Sequence, residues 1–266
     1  MDGATARANQ LPQPGDDYDF DNVLRSAFPE ASLATQQTLR ATAEIRSFRS
    51  KQTVVAQGEE SRVGLVLEGH IGYRRTTVDG REVIPRIGSR GYLGPFMPIA
   101  GRPNTAECVA LSPSRVALWS GSDVSALAAG DAGFAFDLLQ HVLFAFEEVV
   151  ERMDGLLYQN ALRRVARVLD QHADILFSDE GGVTRAYLPA LVGTSREMTG
   201  RVLRQLESDG VVERIGRNRL RLLDASGLAM TAGGSSAGAR PRRSEQVPRR
   251  AEARDARVMS AHRDAG

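Results

Sequence analysis

The 266 residues carry 34 basic and 33 acidic side chains and are 42% apolar, which is ordinary globular composition for one or two domains. The longest strongly apolar run, Leu138 to Phe146, is too short to span a bilayer, and the N-terminus lacks the basic start and apolar core of a secretory signal; a cytoplasmic protein without a membrane partner is expected. A single cysteine, Cys108, excludes an internal disulfide framework and any all-cysteine zinc or iron–sulfur site within one chain.

The near-neutral total conceals an asymmetry. Residues 1–154 hold 15 basic and 20 acidic side chains, whereas 185–221 hold eight arginines against four acids, so the two halves should meet different partners. Residues 1–20 are rich in Pro, Gly and Asp and read as a flexible N-terminal arm. From Phe20 to Ile45 the apolar residues fall at helical spacings. Between Thr53 and Leu118 the pattern changes to short β-branched or alternating runs punctuated by glycine, with Asp79-Gly80 a hairpin signal. These short strands are therefore expected to form a compact antiparallel barrel, roll or sandwich, preceded by short helices.

After Gly130 the period becomes helical. Leu139, Val142, Phe146, Val149, Met153 and Leu156 step by three and four, and Phe136, Leu143, Val150 and Leu157 repeat every seven. Two apolar stripes predict a helix over 131–158, roughly 40 Å long and buried on two sides, as in a homodimer; a long core helix in a monomer is the alternative. Residues 161–177 read as another amphipathic helix, and 231–266, dominated by Gly, Ser, Pro and Arg, as a disordered basic tail. That tail either adds phosphate contacts or is an inert end.

Residues 184–209 carry the most information. Gly193-Thr194-Ser195 reads as a tight turn, with Ser195 the N-cap of a second helix. At about 100° per residue, Arg196, Glu197, Gly200, Arg201 and Arg204 fall on one side of that helix, and Met198, Thr199, Val202, Leu203 and Leu206 on the other. An arginine can bond guanine in a bidentate manner in the major groove, a glutamate can accept from the cytosine amino group, and Gly200 lets the backbone approach DNA. Two short helices joined by a Gly-containing turn match helix-turn-helix docking. Two short strands follow around Gly216-Arg217-Asn218. Their arginines, Arg217 and Arg219 among them, could reach phosphates as a wing would, while Arg214 or Arg221 alone reads better as a solvated charge. Arg185, Thr194 and Ser195 complete the expected contact set for double-stranded DNA.

The motifs Val192–Glu197 (VGTSRE), Arg201 and Leu203–Val212 (LRQLESDGVV), together with Gln57–Gly72, Asp79–Glu82 and Gly91–Phe96, resemble the Crp/Fnr transcription regulators over about residues 21–229. The resemblance implies an α+β chain: an N-terminal antiparallel β-roll or jelly-roll sensor domain like those that bind cyclic nucleotides (21–130), a dimerisation helix (131–158) and a C-terminal winged helix-turn-helix domain (159–230). It also implies a non-enzymatic homodimer that reads an inverted repeat resembling TGTGA half-sites through Arg196, Glu197 and Arg201, with RNA polymerase as a further partner. Two positions depart from the family's helix-turn-helix. Pro189 falls in the expected first helix, where it is tolerated only in the first turn, and Met198-Thr199 replaces Thr-Val.

By the same resemblance, the effector pocket would involve Gly94, Pro95, Arg102, Asn104, Thr105, Ala106, Val149 and Val150. Pro95 stands where a ribose-binding glutamate belongs and Asn104 where a phosphate-binding arginine belongs, with Arg102 a substitute candidate. Losing a charge-assisted bidentate pair argues against cyclic AMP bound in the usual mode. A modified cyclic-nucleotide pocket, an apolar ligand or no ligand remain open. An iron–sulfur cluster has no cysteine set; His70, His141 and Cys108 are haem ligands by type only, and Cys108 reads better as a small buried hydrophobe than as a redox switch. Two other readings are an effector-binding module acting through protein contacts, its DNA helix vestigial, and a metal hydrolase built on the β-domain. The four scattered histidines speak against the second.

Overall fold

A computed structural model describes residues 14–58, 62–76, 79–80, 82–178, 185–216 and 219–233. Two helices, α1 (Pro14–Ala27) and α2 (Leu33–Thr42), precede eight strands: β1 (Glu44–Phe48), β2 (Thr53–Val55), β3 (Arg62–Glu68), β4 (Ile71–Thr76), β5 (Glu82–Gly88), β6 (Leu93–Gly94), β7 (Glu107–Ala110) and β8 (Ser114–Ser120). They pair antiparallel in two four-stranded sheets, ordered β1-β8-β3-β6 and β2-β7-β4-β5. The α+β class and the β-domain are as the residue pattern requires.

Strand alternation explains how three apolar layers come from so few strands. On β3, Val63, Leu65 and Leu67 pack toward the helices, while Val66 enters the space between the sheets. On β8, Ala117 and Trp119 face the helices and Val116 and Leu118 the roll interior. Strands buried on both faces read as continuous apolar runs, and these do.

The first helix begins at Pro14, within the segment read as an arm. What orders its later part is distant in sequence: Phe20 is buried and stacks on Trp119 with ring centroids 6.5 Å apart, and Arg90 bonds the Asp19 carboxylate at 2.5 and 2.8 Å. Residues 1–13 and 234–266, which hold the rest of the arm and nearly all of the tail, lie outside the described residues.

Helix α3 (Gly121–Gly130) leads to α4 (Ala132–Tyr158), then α5 (Ala161–Gln171) and α6 (Ala173–Leu176). The single helix expected over 161–177 is thus divided at His172, whose backbone leaves helical geometry. Asp131 caps α4 by accepting from Phe134 N, and it also accepts from Ser32 N and Thr35 Oγ1. Six residues on, buried Asp137 accepts from the backbone N–H groups of Glu30 and Ala31, both at 3.0 Å.

These two carboxylates respond to pH with opposite signs. The hydroxyl of Thr35 and the groups of Ser32 hold Asp131 below the usual carboxylate range, so its contribution is present above about pH 4 and lost on acidification. Burial outweighs the two hydrogen bonds at Asp137 and pushes it up to about 6. Its folded form holds the proton more tightly than the unfolded chain, so this contribution is complete below about pH 4 and lost as pH rises through about 6. Asp137→Asn is therefore expected to flatten stability between about pH 4 and 7 and to add about 1–3 kcal/mol above pH 7. Thermal melts of both chains across that range check it; a variant less stable than the parent at pH 7.5 would contradict it.

Candidate nucleic-acid interface

The C-terminal module is built around a buried cluster of Val165, Ala166, Leu169, Leu188, Leu191, Val192, Val202, Leu203 and Leu206. A 3-10 turn, Arg185–Tyr187, runs into α7 (Leu188–Val192), and Pro189 falls in the first turn of that helix, where its missing N–H costs nothing. Gly193 then adopts a left-handed conformation (φ 69°, ψ 44°) and its N–H closes on Pro189 O at 3.0 Å. Gly193→Ala is expected to cost about 1–2 kcal/mol, because a Cβ is disfavoured at that φ. A melt unchanged from the parent's would count against it.

Helix α8 (Arg196–Ser208) starts where expected: Ser195 Oγ accepts from Met198 N at 3.1 Å. Its faces separate as the residue angles require. Thr199, Val202, Leu203 and Leu206 are buried, and Met198 is half-buried beside them; Arg196, Glu197, Arg201 and Arg204 are exposed. The polar intruder is satisfied, since the Thr199 hydroxyl donates to Ser195 O at 3.0 Å. Around Gly200 the exposed face is open: an added Cβ would meet only Arg204 Nη1, at 3.8 Å. Arg201 Nη2 lies 3.2 Å from Glu197 Oε1, one turn away, so the carboxylate and one guanidinium are pre-aligned.

Strands β9 (Val212–Ile215) and β10 (Arg219–Leu222) form the antiparallel two-stranded sheet of a wing. Arg214 is held by Glu207 at 2.5 Å and Arg221 by Glu213 at 3.1 Å, in keeping with their reading as surface charges. Arg219 is exposed on β10; Arg217 lies outside the described residues; Arg185 is half-buried at the start of the module. A last helix, α9 (Ala225–Ala232), packs Leu228 and Ala232 against the same core.

Helix α4 is inside-out from Phe136 onward. The seam residues Leu139, Val142, Phe146, Val149, Met153 and Leu156 are exposed, Phe146 by 65%, as are Phe136, Leu143, Val150 and Leu157. The opposite, covered side carries charged side chains. Arg86 of β5 places Nε 2.5 Å from Glu148 Oε2 and its guanidinium over the Tyr92 ring at 4.2 Å. Arg152, four residues on, donates to Ile84 O and Ala190 O. Neither residue was among the candidates from sequence.

The residues expected to form an effector pocket are placed on the sensor domain and on α4. Asn104 is buried and turns its amide onto Ala106 O, with Cys108 Sγ at 3.8 Å. Arg102 and Thr105 are exposed, Pro95 and Ala106 buried, and Val149 and Val150 belong to the exposed stripes of α4. Gly94 lies under Tyr73: an added Cβ would stand 2.6 Å from its hydroxyl, and Tyr73 packs edge-on to Tyr92 at 5.5 Å. Burial pushes the Cys108 thiol up to about 12, which opposes thiolate chemistry. His70 Nδ1 contacts Ser112 Oγ at 3.0 Å, and His141 Nε2 contacts Ala27 O at 2.9 Å while its ring packs on Phe28. Among the described residues, no three His, Cys, Asp or Glu side chains cluster as metal ligands, and no helix is long and apolar enough to cross a membrane.

Known proteins resolve the family. A model of the cyclic nucleotide-binding domain matches residues 45–131, and a model of the Crp-like helix-turn-helix domain matches residues 163–231, together more than half of the chain. The chain belongs to the Crp/Fnr family. No curated protein matches it significantly in sequence. Among solved structures, FixK2 from Bradyrhizobium japonicum aligns with a TM-score of 0.61 at 20% identity, over 74% of this chain and 99% of that one. A CRP/FNR-family transcriptional regulator from Thermus thermophilus aligns with a TM-score of 0.62 at 22% identity, over 72% and 99%. The c-di-GMP-responsive global regulator CLP of Xanthomonas campestris gives 0.59 at 19%, over 73% and 100%. At these identities the likeness is one of fold. As a Crp/Fnr protein the chain is a DNA-binding transcription regulator, from a family of regulators rather than enzymes.

Proposed function

We propose that this Crp/Fnr regulator acts as a cytoplasmic homodimer that recognises an inverted repeat with half-sites resembling TGTGA, with Arg196, Glu197 and Arg201 reading base edges. Ser195, Thr194, Gly200, Arg204, Arg185, Arg217 and Arg219 approach the backbone, and RNA polymerase is the partner through which binding becomes regulation. The observation that carries this reading is α8: a capped helix with one apolar face in the core and a facing row of exposed guanidinium groups and a carboxylate around an open glycine. The ten exposed side chains of the two apolar stripes of α4 support pairing with a second copy, because an exposed stripe of that length is costly unless covered. Domain limits of 21–130, 131–158 and 159–230 fit this division of labour.

The sensor is read as divergent. Asn104 carries no charge for a cyclic phosphate and spends its amide on Ala106 O, two residues on, so binding of cyclic AMP in the usual mode is not expected. The alternative of a vestigial DNA helix rested on Pro189, which sits harmlessly in a first turn.

Selection of the full-length protein on random duplexes tests the reading. Enrichment of an inverted repeat with half-sites about 34–36 Å apart is the expected result, with nanomolar-range affinity that weakens steeply with salt. Enrichment of no motif would overturn it. Calorimetry with cyclic AMP and cyclic GMP tests the sensor separately.

A further inference from the structure

Residues four apart on a helix share a face, and residues two apart on a strand do the same. Glu148 and Arg152 of α4 therefore meet Arg86 and Ile84 of β5 as two rungs: the Arg86–Glu148 ion pair at 2.5 Å and the Arg152 Nη1 bond to Ile84 O at 3.4 Å. Arg152 then reaches further. Its Nη2 donates to Ala190 O in α7 at 3.4 Å, and a Cβ added to Gly193 would lie 3.5 Å from the same nitrogen. Two main-chain carbonyls from different domains are thus what this half-buried cation bonds.

The rest of the joint is greasy. Ile84, Ile87, Val109 and Leu111 of the sensor domain share one core with Leu188, Leu191 and Val192. Apolar contact is non-directional and tolerates sliding. A guanidinium is a rigid planar fork whose two arms fix two acceptors relative to one another. We propose that Arg152 is the positioning residue that sets the angle of the reading helix against the sensor sheet, and hence the half-site spacing a dimer accepts. The spacing consequence rests on the dimeric DNA-reading function proposed above; the angle does not.

Two measurements on the full chain separate these. Nitroxides at Ala41→Cys and Ser208→Cys, in a Cys108→Ala background and diluted into excess unlabelled chain, report the distance between sensor and reading head within one protomer. The parent is expected to give one narrow distribution and Arg152→Met a broad one; Arg152→Lys, whose rotatable ammonium donors are not held in a fixed fork, falls between. A broad parent distribution, or a narrow one in Arg152→Met, overturns the proposal, and Arg152→Lys decides it should Arg152→Met not fold. On DNA, moving the half-sites apart by one base pair should weaken the parent about tenfold and Arg152→Met less than about threefold, with base preference inside each half-site unchanged. Unchanged spacing selectivity in a variant with a broadened distance overturns the spacing role. If no repeat is selected at all, the DNA reading fails while the distance measurement still judges the pin.

Discussion

Leu139→Glu combined with Phe146→Glu is expected to yield a folded monomer that has lost specific DNA binding. Both side chains are already exposed in the single chain, Leu139 by 51% and Phe146 by 65%, so their replacement removes little from its own core. Across a dimer seam each would be buried, contributing about 1.5–3 kcal/mol apiece, and the glutamates would instead bring four buried charges together. A monomer presents one α8 where two are needed. Its affinity should fall toward the nonspecific range, a loss of at least about 10³-fold. Sedimentation and fluorescence anisotropy on the selected duplex read the two effects, and circular dichroism should show a melt close to the parent's. A double variant that sediments as a dimer would place the self-association surface elsewhere.

The same helix shows where sequence reasoning stops. Its apolar stripes were legible because residues 139 to 157 keep a strict helical period, and the period alone tells a two-sided helix from a one-sided one. The face it turns to its own chain was not. Periodicity assigns charge to solvent, whereas Glu148 and Arg152 are covered by β5 and α7, whose partner groups Arg86, Ile84 and Ala190 lie tens of residues away. The start of α1 was missed for a similar reason, as Phe20 and Asp19 are held by Trp119 and Arg90. Asn104 was read for the charge it lacks; that its amide would be spent on Ala106 O depends on the geometry of the loop before β7, which no spacing reveals. By contrast, the turn, cap and faces of α8 are all determined within fourteen consecutive residues. Local rules suffice there, and the structure follows them residue by residue.

Arg196→Ala and Arg201→Ala should each weaken binding to the selected repeat by about 1–3 kcal/mol and relax base preference at one position of each half-site. Arg219→Ala on the wing should instead weaken all sequences alike and lower the salt slope by about one phosphate contact per protomer. The contrast separates readout from simple charge: three arginines of one sign differ only in what they face. Folding does not confuse it, because Arg196 is exposed and the Arg201–Glu197 pair is 64% and 82% exposed, worth at most about 0.5 kcal/mol. Glu197→Gln supplies the control from the other side. It releases Arg201 from its 3.2 Å partner without removing the guanidinium, so a loss of discrimination there would assign the carboxylate its own base contact. Should Arg196→Ala and Arg201→Ala bind every duplex as well as the parent does, the exposed face of α8 is not the reading surface, and the wing and the covered arginines of the joint become the residues to test next.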